Sequence, residues 1–373
     1  MAPGRRNTIS PPSPSANVGG NAKGLPNIQT DKEKKIQMKA IVLKGFGGTE
    51  NFFLEEVEEP KLIDGTVKVK IKAAAFNPID YQMRKGGTES KLLRTPILGR
   101  EMSGVVEEVH HTVTDFKIGD EIYSYVSSLG SNGTYAEYII VPTEIIALKP
   151  KNITFEQATA MALVGLTAIQ TIEKANLKED SLVFITGGAG GVGSMLIRLL
   201  LQKGIKNIFT TAGNKESIEQ IISYGLAAER ILDYKETNLT EKILGLTANR
   251  MFTHCLDTVG NYLSTLCAEI IAVDGYYADI TFMMTDSARE LIFDKAVTTI
   301  NVSNYAYGIE RDKTKMKYYN RNLSILKEYI ESAVLTTTPI NILGQLSVDT
   351  VSKAHQILEN NQTKGRKLVM QIG

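Results

Sequence analysis

The stretch SLVFITGGAGGVGSMLIRLLLQKG, residues 181–204, carries the strongest local pattern in the sequence. An apolar run ends at Thr186 and leads into a turn rich in glycine. The apolar residues that follow the turn repeat at helical spacing: Val192, Met195, Leu196, Leu199 and Leu200. Such a periodic apolar face predicts an amphipathic helix, and Gly204 is placed to end it. The stretch therefore predicts a strand, a tight turn and a helix.

Gly188, Gly190 and Gly193 form the pattern G-x-G-x-x-G inside that turn. In this pattern the first glycine permits the turn, the second lets the backbone approach a pyrophosphate, and the third lets the helix pack closely. The helix N-terminus adds free N–H groups and a positive dipole end. A glycine-rich surface turn is the alternative, but the flanking strand and helix favour a dinucleotide site. Its predicted binding residues are Gly188, Ala189, Gly190, Gly191, Val192 and Gly193.

Strands and helices alternate on the C-terminal side of the turn. Apolar segments with strand character recur at 207–212, 230–234, 252–257 and 298–303, with helical stretches between them. This alternation predicts an α/β domain of the Rossmann type, a doubly wound parallel sheet over 161–304.

The rest of the chain has a different pattern. Over 38–160, short segments alternate apolar and polar residues and are separated by turn residues, which predicts a mostly-β domain. The final segment, 305–373, holds two predicted helices and the strand KLVMQI.

The residues about twenty positions after the glycine turn indicate which dinucleotide binds. A site for NAD usually has Asp or Glu there to hold the ribose 2′-hydroxyl. No acid occurs between Gly188 and Lys215; Thr211, Asn214 and Lys215 stand in this region instead. Small polar groups and a cation suit a 2′-phosphate, so the sequence predicts NADPH bound by these three residues. A solvated lysine at the start of a surface helix is the alternative interpretation of Lys215.

Composition excludes several classes of function. The formal net charge of +1 gives no support to a nucleic-acid partner. No apolar run reaches the length of a membrane span. The two cysteines, Cys255 and Cys267, are too few for a disulfide framework or a four-thiolate zinc site, and we expect both to be buried as small apolar side chains. These features favour a small-molecule substrate.

Residues 1–37 differ in composition from the rest of the chain and are dominated by Pro, Gly, Ser and Asn. Such a segment buries too little apolar surface to offset its ordering entropy, so we predict a disordered tail. No acid precedes Asp31, and Arg5 and Arg6 are present, as in some mitochondrial transit peptides. We favour a plain tail and a cytoplasmic protein; a mitochondrial location is the alternative if 1–37 is a transit peptide.

Several motifs occur in one order along the chain. They are AFNPIDYQMRKG (75–86), PILGREMSGVVEEV (96–109), GTYAEYIIVP (133–142), ALVGLTAIQTI (162–172), the glycine turn, ILDY (231–234) and LDTVG (256–260). Together they resemble the medium-chain dehydrogenase/reductase superfamily over 38–373, and most of all its zinc-free quinone oxidoreductase and enone reductase branch, which includes the reticulon-interacting mitochondrial proteins. The resemblance implies a GroES-like catalytic domain, a Rossmann domain, a segment 305–373 that returns to the catalytic domain, and a homodimer.

The resemblance also implies roles for individual residues. Asn77, in N-P-x-D, lies by analogy at the nicotinamide end of the cleft, and Thr167, in G-L-T-A, contacts the nicotinamide side. Tyr234 matches a tyrosine near the adenosine phosphate, and Lys367 matches a basic residue that closes over the cofactor. Each has a structural alternative: a turn, helix packing, a strand end or a solvated charge.

The zinc ligands of the superfamily have no counterpart here. The matching positions are Asn77, Arg100 and Val164, none of which is a thiolate or an imidazole, so no metal is expected. Arg100 and Glu101 replace the commoner residues of this motif, and we expect them to pair with each other.

Conjugate reduction is a reaction that does not need a metal, because hydrogen-bond donors can hold the charge that develops on the carbonyl oxygen. Tyr81, four residues after Asn77, is placed to donate to that oxygen or to protonate the α-carbon; packing is its alternative role. Asn77 and Tyr81 are the predicted catalytic residues. The predicted function is a zinc-independent, NADPH-dependent reductase of quinones or α,β-unsaturated carbonyls. An enoyl-thioester reductase and a non-catalytic NADPH-binding interaction protein are the alternatives.

Overall fold

The structure is a computed structural model that describes residues 36–373. The predicted disordered tail therefore lies outside the described residues, apart from Ile36 and Gln37. The strands are β1 (Gln37–Leu43), β2 (Phe52–Glu58), β3 (Thr66–Ala75), β4 (Glu101–Val109), β5 (Glu121–Tyr125), β6 (Tyr138–Pro142), β7 (Ile146–Leu148), β8 (Val183–Ile185), β9 (Ile208–Ala212), β10 (Ile231–Asp233), β11 (Phe252–Asp257), β12 (Ile271–Asp279), β13 (Thr298–Asn301), β14 (Ile340–Gln345) and β15 (Lys367–Gln371).

The α-helices are α1 (Pro78–Arg84), α2 (Phe155–Lys174), α3 (Gly191–Gln202), α4 (Lys215–Ser223), α5 (Leu239–Leu246), α6 (Tyr262–Ile270), α7 (Asp286–Asp294), α8 (Ala306–Ile309), α9 (Lys313–Glu331) and α10 (Val348–Glu359). Short 3-10 turns cover Thr49–Asn51, Thr88–Leu92, Thr143–Ile145 and Ala228–Arg230. Within 36–373, none of these helices is both long and apolar enough to cross a bilayer.

The parallel sheet has the strand order β10-β9-β8-β11-β12-β13. All neighbouring pairs in it are parallel. Counted from β8, this is the order 3-2-1-4-5-6 of a doubly wound dinucleotide-binding sheet, so the predicted fold class is confirmed. The strand order reverses between β8 and β11, and ligands of such sheets bind at the carboxyl ends of the strands at this point.

Strand β12 is absent from the sequence prediction. It follows α6 without a loop, because α6 ends at Ile270 and β12 begins at Ile271. Its apolar pattern is interrupted by Asp274, which has a φ of +57°, and its pairing with β11 changes register between Phe252 and His254. Strand propensity does not reveal a strand that follows a helix directly and has an interrupted apolar pattern.

The second large sheet is mixed, with the order β14-β15-β3-β4-β5-β7 and with β6 also paired to β3. Its GroES-like, mostly-β character matches the prediction. The C-terminal strand β15 pairs antiparallel with β3, and β14 pairs parallel with β15. The predicted domain boundary at 160/161 falls inside α2, which runs unbroken from Phe155 to Lys174.

Helix α3 packs directly on the turn that follows β8, because Gly193 has no side chain. A Cβ atom at Gly193 would lie 2.3 Å from the carbonyl oxygen of Gly187 and 3.1 Å from Cα of Gly188. Both are backbone atoms and cannot move aside without a shift of the turn. The third glycine of the pattern therefore sets how closely the helix approaches the strand.

We expect Gly193→Ala to destabilise the protein by about 1–3 kcal/mol, as overpacking usually does. Gly245→Ala in α5 is the matched control, because no atom lies within 4 Å of a Cβ at that position. The control should be neutral or stabilising by up to ~1 kcal/mol. Urea unfolding of both variants measures the difference, and equal stabilities would contradict the close packing.

Candidate active site

The glycine turn is fixed by hydrogen bonds to the neighbouring strand. The N–H of Gly187 donates to Oγ1 of Thr211 at 2.9 Å, and the N–H of Gly188 donates to the carbonyl of Thr211 at 2.9 Å. Gly190 is the N-cap of α3 and supplies no side-chain acceptor for the first N–H groups of that helix. Unpaired N–H groups at a helix N-terminus favour an anion.

Gly190 is also the glycine beside open space. A Cβ there would meet one atom within 4 Å, the carbonyl oxygen of Gly187 at 3.2 Å. At Gly188, by contrast, a Cβ would lie 2.3 Å from Oγ1 of Thr210. Gly188 thus packs closely against β9, whereas Gly190 has open space where a side chain would lie. These residues fit a dinucleotide whose pyrophosphate approaches the backbone at Gly190.

The end of β9 only partly matches the predicted ribose site. Thr211 is fully buried and its hydroxyl accepts the hydrogen bond from Gly187, so its contact with the cofactor stays a prediction. Asn214 is the N-cap of α4, where its Oδ1 accepts from the N–H of Ser217 at 2.9 Å. The side chain of Lys215 is 86% exposed, with Nζ 3.7 Å from Oε1 of Glu219.

Tyr234 and its neighbour Lys235 lie against the same strand end. A Cβ at Gly213 would lie 2.3 Å from Cε1 of Tyr234, so the ring covers this glycine. Nζ of Lys235 donates to the carbonyl of Gly213 at 2.6 Å. Lys235 was not predicted, and its position directly after Tyr234 was the one signal in the sequence. Two lysines, Lys215 and Lys235, therefore flank the segment that follows β9.

Asp257, at the end of β11, organises the loop beside the glycine turn. Its fully buried carboxylate accepts through Oδ1 from the hydroxyl of Thr186 at 2.7 Å and from the N–H of Gly260 at 2.8 Å. Oδ2 accepts from the hydroxyl of Tyr277 at 2.6 Å. Val259 in this loop is partly exposed. The motif LDTVG contains this residue, but its role depends also on partners from two other segments, Thr186 and Tyr277.

The predicted catalytic Asn77 belongs to a buried polar cluster with Lys367 and Glu101. Nζ of Lys367 donates to Oδ1 of Asn77 and lies 2.5 Å from Oε1 of Glu101. Nδ2 of Asn77 donates to the same Oε1 at 3.1 Å. All three side chains are at least nine-tenths buried. The two bonds fix which way the amide of Asn77 points.

Glu101 ties this cluster to α2. Its Oε2 accepts from the N–H of Leu163 at 2.7 Å. The expectation that Arg100 and Glu101 pair with each other is wrong, because Nη2 of Arg100 donates to Oε2 of Glu89 at 2.7 Å while Glu101 pairs with Lys367.

Two segments place the cluster beside the glycine turn. Val164, next to Leu163, lies 2.8 Å from where a Cβ of Gly191 would be. A Cβ at Gly365 would lie 3.3 Å from the carbonyl oxygen of Ala189. Lys367 follows Gly365 by two residues. The structure thus brings Asn77, Lys367 and the turn to one region.

Thr167 pairs with a residue that the sequence did not single out. Nδ2 of Asn304 donates to Oγ1 of Thr167 at 2.7 Å, and that hydroxyl donates to the carbonyl of Leu163 at 2.8 Å. Oδ1 of Asn304 is buried and has no partner among residues 36–373. An unsatisfied amide oxygen beside Thr167 is an acceptor available to a ligand.

Tyr81 lies in α1, one turn after Asn77, and is half-buried. Nζ of Lys85 is 5.9 Å from its ring centroid. The neighbouring Asp80 is fully buried, and its Oδ2 accepts from the N–H of Asn77 at 2.8 Å. Burial raises the pKa of Asp80 to about 7, although the N–H of Asn77 and the charge of Arg100 act in the other direction.

No group of three or more His, Cys, Asp and Glu side chains in the described part of the chain is arranged to hold a metal ion. Cys255 and Cys267 are both buried, as predicted, with Sγ of Cys255 3.5 Å from the carbonyl oxygen of Cys267.

Comparison with known proteins agrees with this architecture. The model of the alcohol dehydrogenase GroES-like domain matches residues 63–151, and the model named zinc-binding dehydrogenase matches residues 191–312. The quinone oxidoreductase of Coxiella burnetii superimposes with a TM-score of 0.74 at 26% identity, over 91% of this chain and 100% of that one.

Two curated relatives are similar over part of the chain. The chloroplastic NADPH-dependent alkenal/one oxidoreductase of Arabidopsis thaliana is 34% identical over 59% of this chain and 58% of its own length. The mitochondrial NAD(P)H oxidoreductase RTN4IP1 of Dictyostelium discoideum is 34% identical over 55% of this chain and 60% of its own length. The chain thus spans less than two thirds of the length of these relatives.

The two domain models match in the order in which the structure has its two large sheets, and the relatives are named as oxidoreductases. The chain belongs to the medium-chain dehydrogenase/reductase superfamily, in its quinone oxidoreductase and enone reductase branch.

Proposed function

We propose that this chain is an NADPH-dependent reductase of α,β-unsaturated carbonyls or quinones that works without zinc. One observation carries the proposal: the buried cluster of Asn77, Lys367 and Glu101 lies beside a glycine turn whose Gly190 is open to a ligand. The positions that match the zinc ligands hold Asn77, Arg100 and Val164, whose side chains are poor ligands for Zn²⁺.

The choice of NADPH is supported by the segment after β9. Lys215 and Lys235 lie on either side of Asn214, and no acid occurs between Gly188 and Lys215. A 2′-phosphate bound here would meet two cations and the N-terminus of α4. Tyr234, packed on Gly213, forms a wall of the same site.

A bound reduced nicotinamide dinucleotide supplies the hydride for the reaction. The chain's own residues position the reactants and exclude water. Asn77 presents an amide with a fixed orientation, and the pair of Lys367 with Glu101 places no net charge next to it. Thr167 and Asn304 offer polar atoms on the α2 side. We assign Tyr81 as the donor of the proton that the α-carbon receives.

We also propose that the protein is a homodimer joined through its parallel sheet. Among the described strands, β13 pairs with β12 and has no partner on its other edge. Phe293, in the helix that precedes β13, and Val273, in β12, are 85% and 69% exposed. An unpaired edge with apolar neighbours favours addition of a strand from a second copy.

A cytoplasmic location remains our proposal, with the mitochondrion as the alternative if 1–37 is a transit peptide. A similar protein, from Dictyostelium discoideum, is named as mitochondrial.

The function is tested by following NADPH oxidation with enones, quinones and enoyl-thioesters, with and without a chelator. We expect turnover with enones or quinones that a chelator does not change. Preference for enoyl-thioesters would favour the first alternative. Binding of NADPH without turnover of any of these substrates would favour the non-catalytic interaction protein. Loss of activity with the chelator would contradict the absence of zinc.

The role of the glycine turn in cofactor binding is tested by Gly190→Val. We expect NADPH binding to be lost while the fold is kept, because the added side chain fills the space that the pyrophosphate needs and meets one protein atom only, at 3.2 Å. Nicotinamide fluorescence measures binding, and thermal unfolding measures the fold. Gly245→Val, in the open face of α5, is the control. Unchanged affinity in Gly190→Val would mean that the turn does not bind the cofactor.

Cofactor choice is tested at Lys215. We expect Lys215→Ala to weaken NADPH binding by roughly 10- to 150-fold, the value of one charged hydrogen bond, and to leave NADH binding unchanged. Lys235→Ala should act in the same direction, and Lys317→Ala in α9 is an exposed control. Equal weakening of both cofactors would assign Lys215 a structural role, and a wild type that prefers NADH would contradict the assignment of NADPH.

A further inference from the structure

A small cavity with apolar and polar walls lies between α1, the start of β4 and the loop that follows β5. Its volume is about 20 Å³, and its walls include Met83, Arg100, Ser127 and Asn132. A cavity of this size holds about one water-sized group. It lies beside the mixed sheet, and nothing in the reaction described above uses it.

Arg100 brings a buried positive charge to this cavity. The residue is 3% exposed, and its Nη2 donates to Oε2 of Glu89 at 2.7 Å. Nε and Nη2 lie 3.2 and 3.0 Å from Sδ of Met83, a weak acceptor. Within the described chain, no residue accepts a hydrogen bond from Nη1. The guanidinium therefore presents an N–H group in the cavity wall that can donate a hydrogen bond to a ligand.

Ser127 supplies a second polar group. It is 5% exposed, and its buried Oγ faces the hydroxyl of Tyr125 and makes no other hydrogen bond in residues 36–373. Its φ of +48° is left-handed, a conformation that a residue with a Cβ adopts at a cost. Leaving a buried hydroxyl without a well-formed hydrogen bond is also unfavourable. Both costs are explained if the hydroxyl has a ligand atom to bind.

The cavity adjoins the proposed active site. Arg100 directly precedes Glu101, the acceptor of Asn77 and Lys367, so the two Cα atoms are about 3.8 Å apart. Met83 lies in α1, the helix that Asn77 begins. On the other side, the loop after β5 reaches α8, because a Cβ at Gly308 would lie 2.8 Å from Cδ1 of Leu129.

We propose that Nη1 of Arg100 and Oγ of Ser127 bind the carbonyl or quinone oxygen of the substrate. This inference rests on the proposed function and adds the site that holds the oxygen. The reduced nicotinamide dinucleotide is the reductant: its hydride forms a C–H bond at the β-carbon, the C=C electron pair moves to the bond between the α-carbon and the carbonyl carbon, and the C=O pair moves to oxygen. The enolate then takes a proton at the α-carbon.

Glu89 adjusts the strength of this site. The ion pair of Arg100 with Glu89 keeps the cavity wall close to neutral, so a neutral carbonyl is held by ordinary hydrogen bonds. As the oxygen gains negative charge, its bond to the guanidinium becomes charge-assisted and stronger. Donors whose contribution grows toward the transition state are the ones that accelerate a reaction.

The test uses 4-nitrophenol, whose phenolate oxygen resembles the oxygen of an enolate and whose ionised form has its own visible absorption. We expect the wild type to bind the phenolate saturably. Arg100→Met should weaken that binding about tenfold or more, because a charged hydrogen bond is lost, and Ser127→Ala should weaken it by less. Glu89→Gln should strengthen it, because the guanidinium is no longer neutralised.

The opposite signs of Arg100→Met and Glu89→Gln separate oxygen binding from a structural role, in which breaking the ion pair from either side would weaken binding. Arg100→Met combined with Glu89→Gln removes both charges and is the variant to use if Arg100→Met does not fold. Arg321→Met, which breaks an exposed ion pair with Glu173, is the control. NADPH affinity should not change in any of these variants.

Phenolate binding needs no turnover, so it is independent of the proposed reaction. A wild type that binds the phenolate through Arg100 but reduces no enone or quinone would retain the oxygen site and overturn the reductase. Phenolate binding that is absent, or unchanged in both Arg100→Met and Ser127→Ala, would overturn the oxygen site even if the protein reduces enones.

Discussion

The buried ion pair between Lys367 and Glu101 is the interaction on which the site depends. It joins the last strand of the mixed sheet to β4, and through the second carboxylate oxygen it reaches the N–H of Leu163 in α2. A buried ion pair is tolerated when its remaining donors and acceptors are satisfied, and removal of one partner leaves a desolvated charge. Here the amide of Asn77 forms hydrogen bonds with both partners. The orientation of Asn77 therefore depends on the same contacts that hold the three chain segments together.

A second buried cation ties the phosphate cradle to the same region. Arg198 lies in α3, the helix whose N-terminus follows the glycine turn, and its guanidinium donates to the carbonyl of Thr336 and to Oγ1 of Thr338. These threonines lead into β14, which pairs with the strand that carries Lys367. The C-terminal segment is therefore fastened to the Rossmann helix and to the catalytic cluster, which fixes the position of one relative to the other.

The sequence predicted the features that depend on neighbours along the chain. The glycine turn and the strand and helix around it follow from residues within 181–204. The hydrogen bond of Thr211 could not be predicted, because the direction of its side chain depends on Gly187, 24 residues earlier. Asp257, Asn304 and Lys235 gave little signal because their partners lie far away along the chain, as for Asn304 and Thr167, which are 137 residues apart.

Burial is the main cause of the raised pKa of Asp80, against the charges of two neighbouring cations. The buried charged groups that act on Asp80 include two cations, Arg100 and Lys367, and the carboxylates that pair with them, Glu89 and Glu101. Arg84, in α1 itself, is a further buried cation and pairs with Glu359. An ionised Asp80 would add an unpaired negative charge, and burial raises its pKa to about 7. The folded state therefore binds this proton more tightly than the unfolded chain, and stability from this group falls as the pH rises from the ordinary carboxyl range to about 7. In either protonation state Oδ2 of Asp80 can accept from the N–H of Asn77, so the start of α1 is held across this pH range.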